Sequence, residues 1–214
     1  MSRYFLENAD SGLRLVDKFS HQHPLHINFS DAEFSYRLRR GGGKKEMLAR
    51  AVGAVQDLTV LDCTAGLGRD SFLLASLGCK VTLYERSPVM ALLLQDAIER
   101  ALQSESLSEI AGRLHLVHGD ALEALAGGMD VPDVILVDPM FPARKKSAKV
   151  KGEMQFLQRF IGKDEDATKL LRAALATGCE RLVVKRPLVK SDIAGLNPSF
   201  TLKGKSSRFD VYLQ

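Results

Sequence analysis

Val60-Leu61-Asp62-Cys63-Thr64-Ala65-Gly66-Leu67-Gly68 is an apolar strand that runs straight into a turn of small residues. Glycines at 66 and 68 let the backbone bend tightly and approach a ligand with no Cβ in the way. An adenosine-bearing cofactor could lie on such a turn. The spacing differs from the G-x-G-x-x-G of dinucleotide binders, because Ala65 precedes Gly66 and no glycine stands three residues past Gly68. Taken alone, the turn is open to two readings, a ligand cradle or a plain strand-to-helix connection.

Working outward, the next apolar run, Lys80-Val81-Thr82-Leu83-Tyr84, delivers Glu85 to its carboxyl end. A carboxylate there can accept from both hydroxyls of a ribose, and its distance from Asp62 fits one βαβ unit. Asp62, Glu85, Asp120 and Asp138 each close an apolar run. Ligands of open α/β sheets bind outside the carboxyl ends of parallel strands, so the four acids are expected to share one crevice.

Periodicity supports the same architecture. Strands are expected at 58–62, 80–84, 113–117 and 133–137, alternating with helices at 70–77, 88–103 and 121–126. Such alternation implies parallel pairing. Ser87 is placed to cap the second of these helices with Pro88 at its first position, and Gly78 to end the first. After a helical region at 153–176, runs at 181–185, 199–202 and 209–213 complete the sheet, the last two as an antiparallel hairpin. Ahead of all this, residues 1–43 form a small extension, a hairpin or irregular cap, with extended pieces at Leu13 to Val16 and Leu25 to Phe29. Gly41, Gly42 and Gly43 lead to a helix at 44–55 whose packing face is Met47, Leu48, Ala51 and Val55, opening a main domain at 44–214.

Composition excludes several classes. With 214 residues, 45% hydrophobic and 26% charged, the chain is of ordinary size for a domain with a substantial core. No stretch offers the roughly eighteen uninterrupted apolar residues of a membrane span, and the first residues lack an export signal, so a cytoplasmic location is expected. Cys63, Cys79 and Cys179 are odd in number and lack C-x-x-C spacing, against a disulfide framework or a zinc site. His21, His23 and His26 have no carboxylate or cysteine at ligand spacing, so no metal is expected. The net charge of +4 is modest, yet cations cluster at Arg37, Arg39, Arg40, Lys44 and Lys45, and again at Arg144, Lys145, Lys146, Lys149 and Lys151. Either run reads as a solvated face or as a phosphate contact; the position of the second, just past Phe141, favours nucleic acid.

The motifs DCTAGLGRD, YERSP, HGDAL, DPMFPARKKSAKVK, VVKRP and SSRFDVYL together resemble the ribosomal RNA small subunit methyltransferase J family, over roughly residues 41–214. The resemblance implies a Rossmann-like, S-adenosyl-L-methionine-dependent methyltransferase. Its α/β fold has a seven-stranded mixed sheet with an antiparallel last strand, here preceded by a small β-rich extension. It also implies methylation of the exocyclic N2 of one guanine in 16S ribosomal RNA, with that RNA or the small ribosomal subunit as partner. Carried over by motif, the cofactor contacts are Asp62, Gly66, Gly68, Arg69, Asp70, Glu85, Arg86, Gly119, Asp120 and Asp138. Glu85 would hold the ribose and Asp120 the adenine amino group. Asp70 could cap its helix while touching the methionine ammonium.

Asp138-Pro139-Met140-Phe141 resembles the Asp/Asn-Pro-Pro-Phe/Tyr loop of amino-group methyltransferases, with Met140 in place of the second proline. An aryl amine is a poor nucleophile because its lone pair is delocalised into the ring. Acceptors at Asp138 and near Pro139 would draw the amine protons into hydrogen bonds and aim the lone pair, while Phe141 stacks on the base. Lys145, Lys146, Lys149, Lys185, Arg186 and Arg208, with Lys203 and Lys205, are expected around the RNA backbone. Two other functions stay open on sequence: an amino-methyltransferase acting on DNA or another RNA, and a non-catalytic RNA-binding assembly factor.

Overall fold

The computed structural model describes residues 3–19, 23–38, 46–139, 156, 160, 166–188, 195–205 and 207–214. The main sheet is assembled from β4 (Thr59–Asp62), β5 (Lys80–Glu85), β6 (Leu114–His118), β7 (Val134–Val137), β8 (Arg181–Pro187), β9 (Phe200–Lys203) and β10 (Ser207–Leu213). Its seven strands run in the order β6-β5-β4-β7-β8-β10-β9. β4 to β8 pair in parallel, whereas β10 lies antiparallel to both β8 and β9. The sheet therefore winds outward in both directions from β4 and β7, and the reversal of winding between these two strands is where an open α/β sheet is expected to take its ligand.

Both faces are covered, as near-continuous apolar strands require. One face carries α2 (Met47–Val52), α3 (Arg69–Ser76), α4 (Pro88–Leu102) and α5 (Ser108–Ala111), packed into a core containing Phe72, Leu73, Leu83, Met90 and Leu94. The other carries α6 (Ala121–Ala126) and α7 (Ala167–Ala176), which with Leu61, Ile135, Val137 and Leu182 enclose a second cluster. Expected capping is present at α4, where the Ser87 hydroxyl accepts from Met90 N and Pro88 occupies the first turn. The helix expected at 44–55 is shorter. Gly53, at φ 73°, closes α2 by donating back to Ala49 O. Val55, placed on its packing face by periodicity, therefore lies beyond the helix and is 49% exposed.

The N-terminal residues form their own three-stranded sheet: β1 (Tyr4–Ala9), β2 (Gly12–Asp17) and β3 (Leu25–His26), followed by α1 (Ala32–Tyr36). β1 and β2 are an antiparallel hairpin, and β1, α1 and α5 are elements the periodicity did not indicate. The extended piece expected at Leu25 to Phe29 pairs only through Leu25 and His26; Ile27 and Phe29 leave the ladder to enter the core. This unit is continuous with the domain interior. Phe29 stacks on Phe72 of α3 with centroids 4.3 Å apart, Leu13 N donates to Asp96 of α4, and the Arg100 guanidinium donates to Ile27 O. Residues 41–45, the expected glycine link and helix start, lie outside the described residues.

Candidate functional site

The turn after β4 is held from several sides. Asp62, 3% exposed, accepts from Thr64 N and from the Ser71 hydroxyl, which ties the strand end to the first turn of α3. Burial pushes its carboxyl up to about 6, with Asp70 and Asp138 adding to the effect. Gly66, at φ 54°, donates its N–H to Glu85, and an added Cβ there would meet nothing nearer than Thr64 O at 3.7 Å. Among the described residues its outer side is therefore open. Gly68 differs: a Cβ there would lie 2.6 Å from Leu94 and 3.2 Å from Phe29, so this glycine serves close packing.

Glu85, at the end of β5, accepts from Gly66 N with one oxygen and from Ser87 N with the other. Burial raises its carboxyl, and these two donors oppose the rise. Each oxygen keeps a second acceptor site, so a diol can still be bound. Asp120 spends Oδ1 on capping α6 through Leu122 N, and Gly119 N donates to Glu85 O, which seats the β6 loop beside β5. From the loop after β7, Asp138 N donates to the Thr64 hydroxyl at 2.7 Å. Glu85 and Asp138 thus grip the same turn two residues apart.

The acids at the centre are joined by cations. The Lys185 ammonium donates to Asp70 Oδ2 and Asp138 Oδ2, each at 2.7 Å. Arg37 donates to Asp70 Oδ1 through two nitrogens at 3.1 Å and to Glu46 at 2.6 and 2.8 Å. Burial alone would raise Asp70, but Lys185 and Arg37 outweigh it and hold its carboxyl below the usual range. For Asp138 burial wins: its carboxyl is raised, Lys185 opposing and Asp70 adding. The expectation that Asp70 caps α3 is corrected, since its oxygens face the two cations and the helix has no side-chain cap.

Three further placements revise the sequence reading. Lys185, expected on the RNA backbone, belongs to the acid cluster and is 29% exposed at its side chain. Arg186 is the neighbour on the opposite face of β8, 2% exposed and paired with the fully buried Asp210, because strand alternation turns it to the other side from Lys185. Arg208 binds the same Asp210 and is 13% exposed. Arg69 and Arg86 reach Asp31 and Asp166, at 3.5 and 3.9 Å. Phe141, Lys145, Lys146 and Lys149 lie outside the described residues. Thr64, Ser71 and Arg37 are site residues that sequence reasoning missed. The DCTAG run could have suggested Thr64, while Arg37 stood out only as a member of the first cationic run and not as a partner of Asp70.

Among the described residues no group of three or more His, Cys, Asp or Glu is arranged to hold a metal, and no helix is long and apolar enough to cross a membrane. A family profile described as "Putative SAM-dependent methyltransferase" matches residues 1–214. The chain is 48% identical to ribosomal RNA small subunit methyltransferase J of Chromobacterium violaceum, over 98% of this chain and 83% of that protein. To the protein of the same name from Ectopseudomonas mendocina it is 45% identical, over 98% and 82%. The crystal structure of a SAM-dependent methyltransferase from Neisseria gonorrhoeae superposes with a TM-score of 0.78 at 37% identity, covering 98% of this chain and 82% of the other.

Proposed function

From the premise that this chain belongs to the ribosomal RNA small subunit methyltransferase J family, we propose that it methylates the exocyclic N2 of a guanosine in 16S ribosomal RNA, in the cytoplasm. It is an S-adenosyl-L-methionine-dependent methyltransferase by family and fold. When bound, S-adenosylmethionine supplies an electrophilic methyl group. Gly66, with its open outer side, and Glu85, with its spare acceptor sites, would hold the cofactor beside β4 and β5; Gly119 and Asp120 would border its base.

The observation that carries the substrate side is the bond from Asp138 N to the Thr64 hydroxyl. It fixes the acceptor loop to the cofactor turn, so a carboxylate meant for the target amine keeps a constant offset from the methyl donor. Asp138 has Oδ2 on Lys185, and no described residue donates to Oδ1. That oxygen, with the backbone carbonyl of Pro139, can accept the two protons of an aryl amine. Accepting them draws nitrogen toward tetrahedral geometry and frees its lone pair for in-line attack. Attack would break the donor's carbon–sulfur bond and release a neutral thioether, and the carboxylate stabilises the cationic nitrogen until one N–H proton passes to solvent. Phe141 is proposed as the stacking partner of the base. Lys145, Lys146 and Lys149 are proposed contacts to its phosphates.

Transfer of tritiated methyl groups to 30S subunits, free 16S RNA and duplex DNA tests the reading. Label is expected in 16S RNA or the subunit, at guanine N2. Label confined to DNA would move the same chemistry to another substrate, and RNA binding without any cofactor binding would make the protein an assembly factor. Asp138→Ala is expected to lower transfer at least ~1000-fold while RNA affinity stays within about threefold.

A further inference from the structure

Outside the turn itself, the site contains a series of alternating charges of which the methyl-transfer reading uses only the last, Asp138. Glu46, Arg37, Asp70, Lys185 and Asp138 are linked in that order by bonds of 2.6 to 3.1 Å. They come from the residue before α2, the residue after α1, the first turn of α3, β8 and the loop after β7. Its inner end, Glu46, has a side chain 18% exposed, and its outer end, Asp138, one 38% exposed. We propose that Lys185 is a positioning residue for methyl transfer, fixing the Asp138 carboxylate so that Oδ1 alone meets the target amine, with Asp70 and Arg37 as its anchor.

Geometry gives the reason. A carboxylate on a loop rotates about its side-chain bonds, and each misdirected rotamer withholds the acceptor. Lys185 rises from a central strand between buried Val184 and Arg186, so its stem is constrained, and its ammonium meets Asp70 on one side and Asp138 on the other. Asp70 is in turn held by Arg37, which Glu46 holds. Charge follows the same logic. Two cations against three anions leave the cluster with one net negative charge, suited to a nitrogen that becomes cationic. Without Lys185, Asp70 and Asp138 would face each other as like charges, with Asp62 close behind. Arg37 would still keep Asp70 ionised, so the proton would go to Asp138 and remove the acceptor. A phosphate-binding lysine needs no such partners.

This inference rests on the methyl-transfer reading, and its test uses whichever nucleic acid the wild-type protein labels. Single-turnover rates are measured against pH for wild type, Lys185→Met, Lys185→Arg and Asp70→Asn, with cofactor and nucleic-acid affinities measured alongside. Lys185→Met is expected to slow transfer about 100-fold at pH 7 and to move the acid limb of the profile up by about one pH unit. Both affinities should stay within about threefold. Lys185→Arg keeps the limb in place with a rate within about tenfold of wild type. Asp70→Asn removes the competing anion, gives Asp138 the whole of the ammonium, and moves the limb down. If Lys185→Met does not fold, the direction of the Asp70→Asn shift decides. An unmoved limb in both variants, or a Lys185→Met protein that loses nucleic-acid affinity with a shallower salt slope, overturns the proposal in favour of a backbone contact. A wild type that labels no nucleic acid removes the methyl-transfer reading itself, a different failure.

Discussion

Asp62 illustrates how one residue can carry both a structural and a chemical duty. Its carboxylate receives Thr64 N and the Ser71 hydroxyl, yet burial keeps it at about 6 against an ordinary 3.8. The folded protein therefore holds a proton there that the unfolded chain releases once pH exceeds the ordinary value. Between about pH 4 and 6 the folded state binds more protons, so this group's contribution to stability falls as pH rises, by roughly 3 kcal/mol across the window. Urea unfolding at pH 4, 5 and 6 should show that loss in the wild type and not in Asp62→Asn; equal pH slopes would contradict it. Glycines 66 and 68 look interchangeable in sequence and are not. One leaves an open floor, and the other admits Leu94 and Phe29 against the backbone.

At the scale of elements, β8 and β10 decide how basic residues near the C-terminus are used. The strand pair sets Arg186 opposite Arg208, and both guanidinium groups converge on Asp210 Oδ2 at 3.3 and 2.9 Å. Thr201 of β9 donates to the other oxygen. Asp210 is fully buried, so removing it takes the shared anion from Arg186, itself 2% exposed, and from Arg208. Asp210→Ala is expected to cost about 3–5 kcal/mol, read as a lower urea midpoint with an unchanged slope. The same alternation puts Lys185 on the crevice side. A cation at that register is legible as a pattern, but which neighbour it meets is not, because its partners stand 47 and 115 residues away.

Across the whole molecule, the N-terminal unit behaves as part of the domain. Phe29 and Phe34 pack on Phe72, and Arg37 reaches the site acids, so the unit supplies core and charge together. Phe29→Ala should lower stability by about 3–5 kcal/mol. Hydrogen exchange should then show amides of β2 and β4 losing protection at the same urea concentration; earlier release of β2 would identify a separately unfolding cap. The alternation of strands and helices from β4 onward, the hairpin at the end and the acid tips of the strands were all readable from the chain, because each is set by periodicity and turn chemistry within a dozen residues. So was family membership, through motifs such as DCTAGLGRD and VVKRP. Short elements such as β1 and α1 were not, since their stability comes from what they pack against. Local sequence thus sets the order of the longer elements from β4 onward and the chemical groups carried at the ends of their strands. Only the tertiary structure decided that Lys185 faces Asp70 and Asp138 while Arg186 turns to Asp210, because such pairings depend on distant segments meeting in space, where burial and charge balance select the partner.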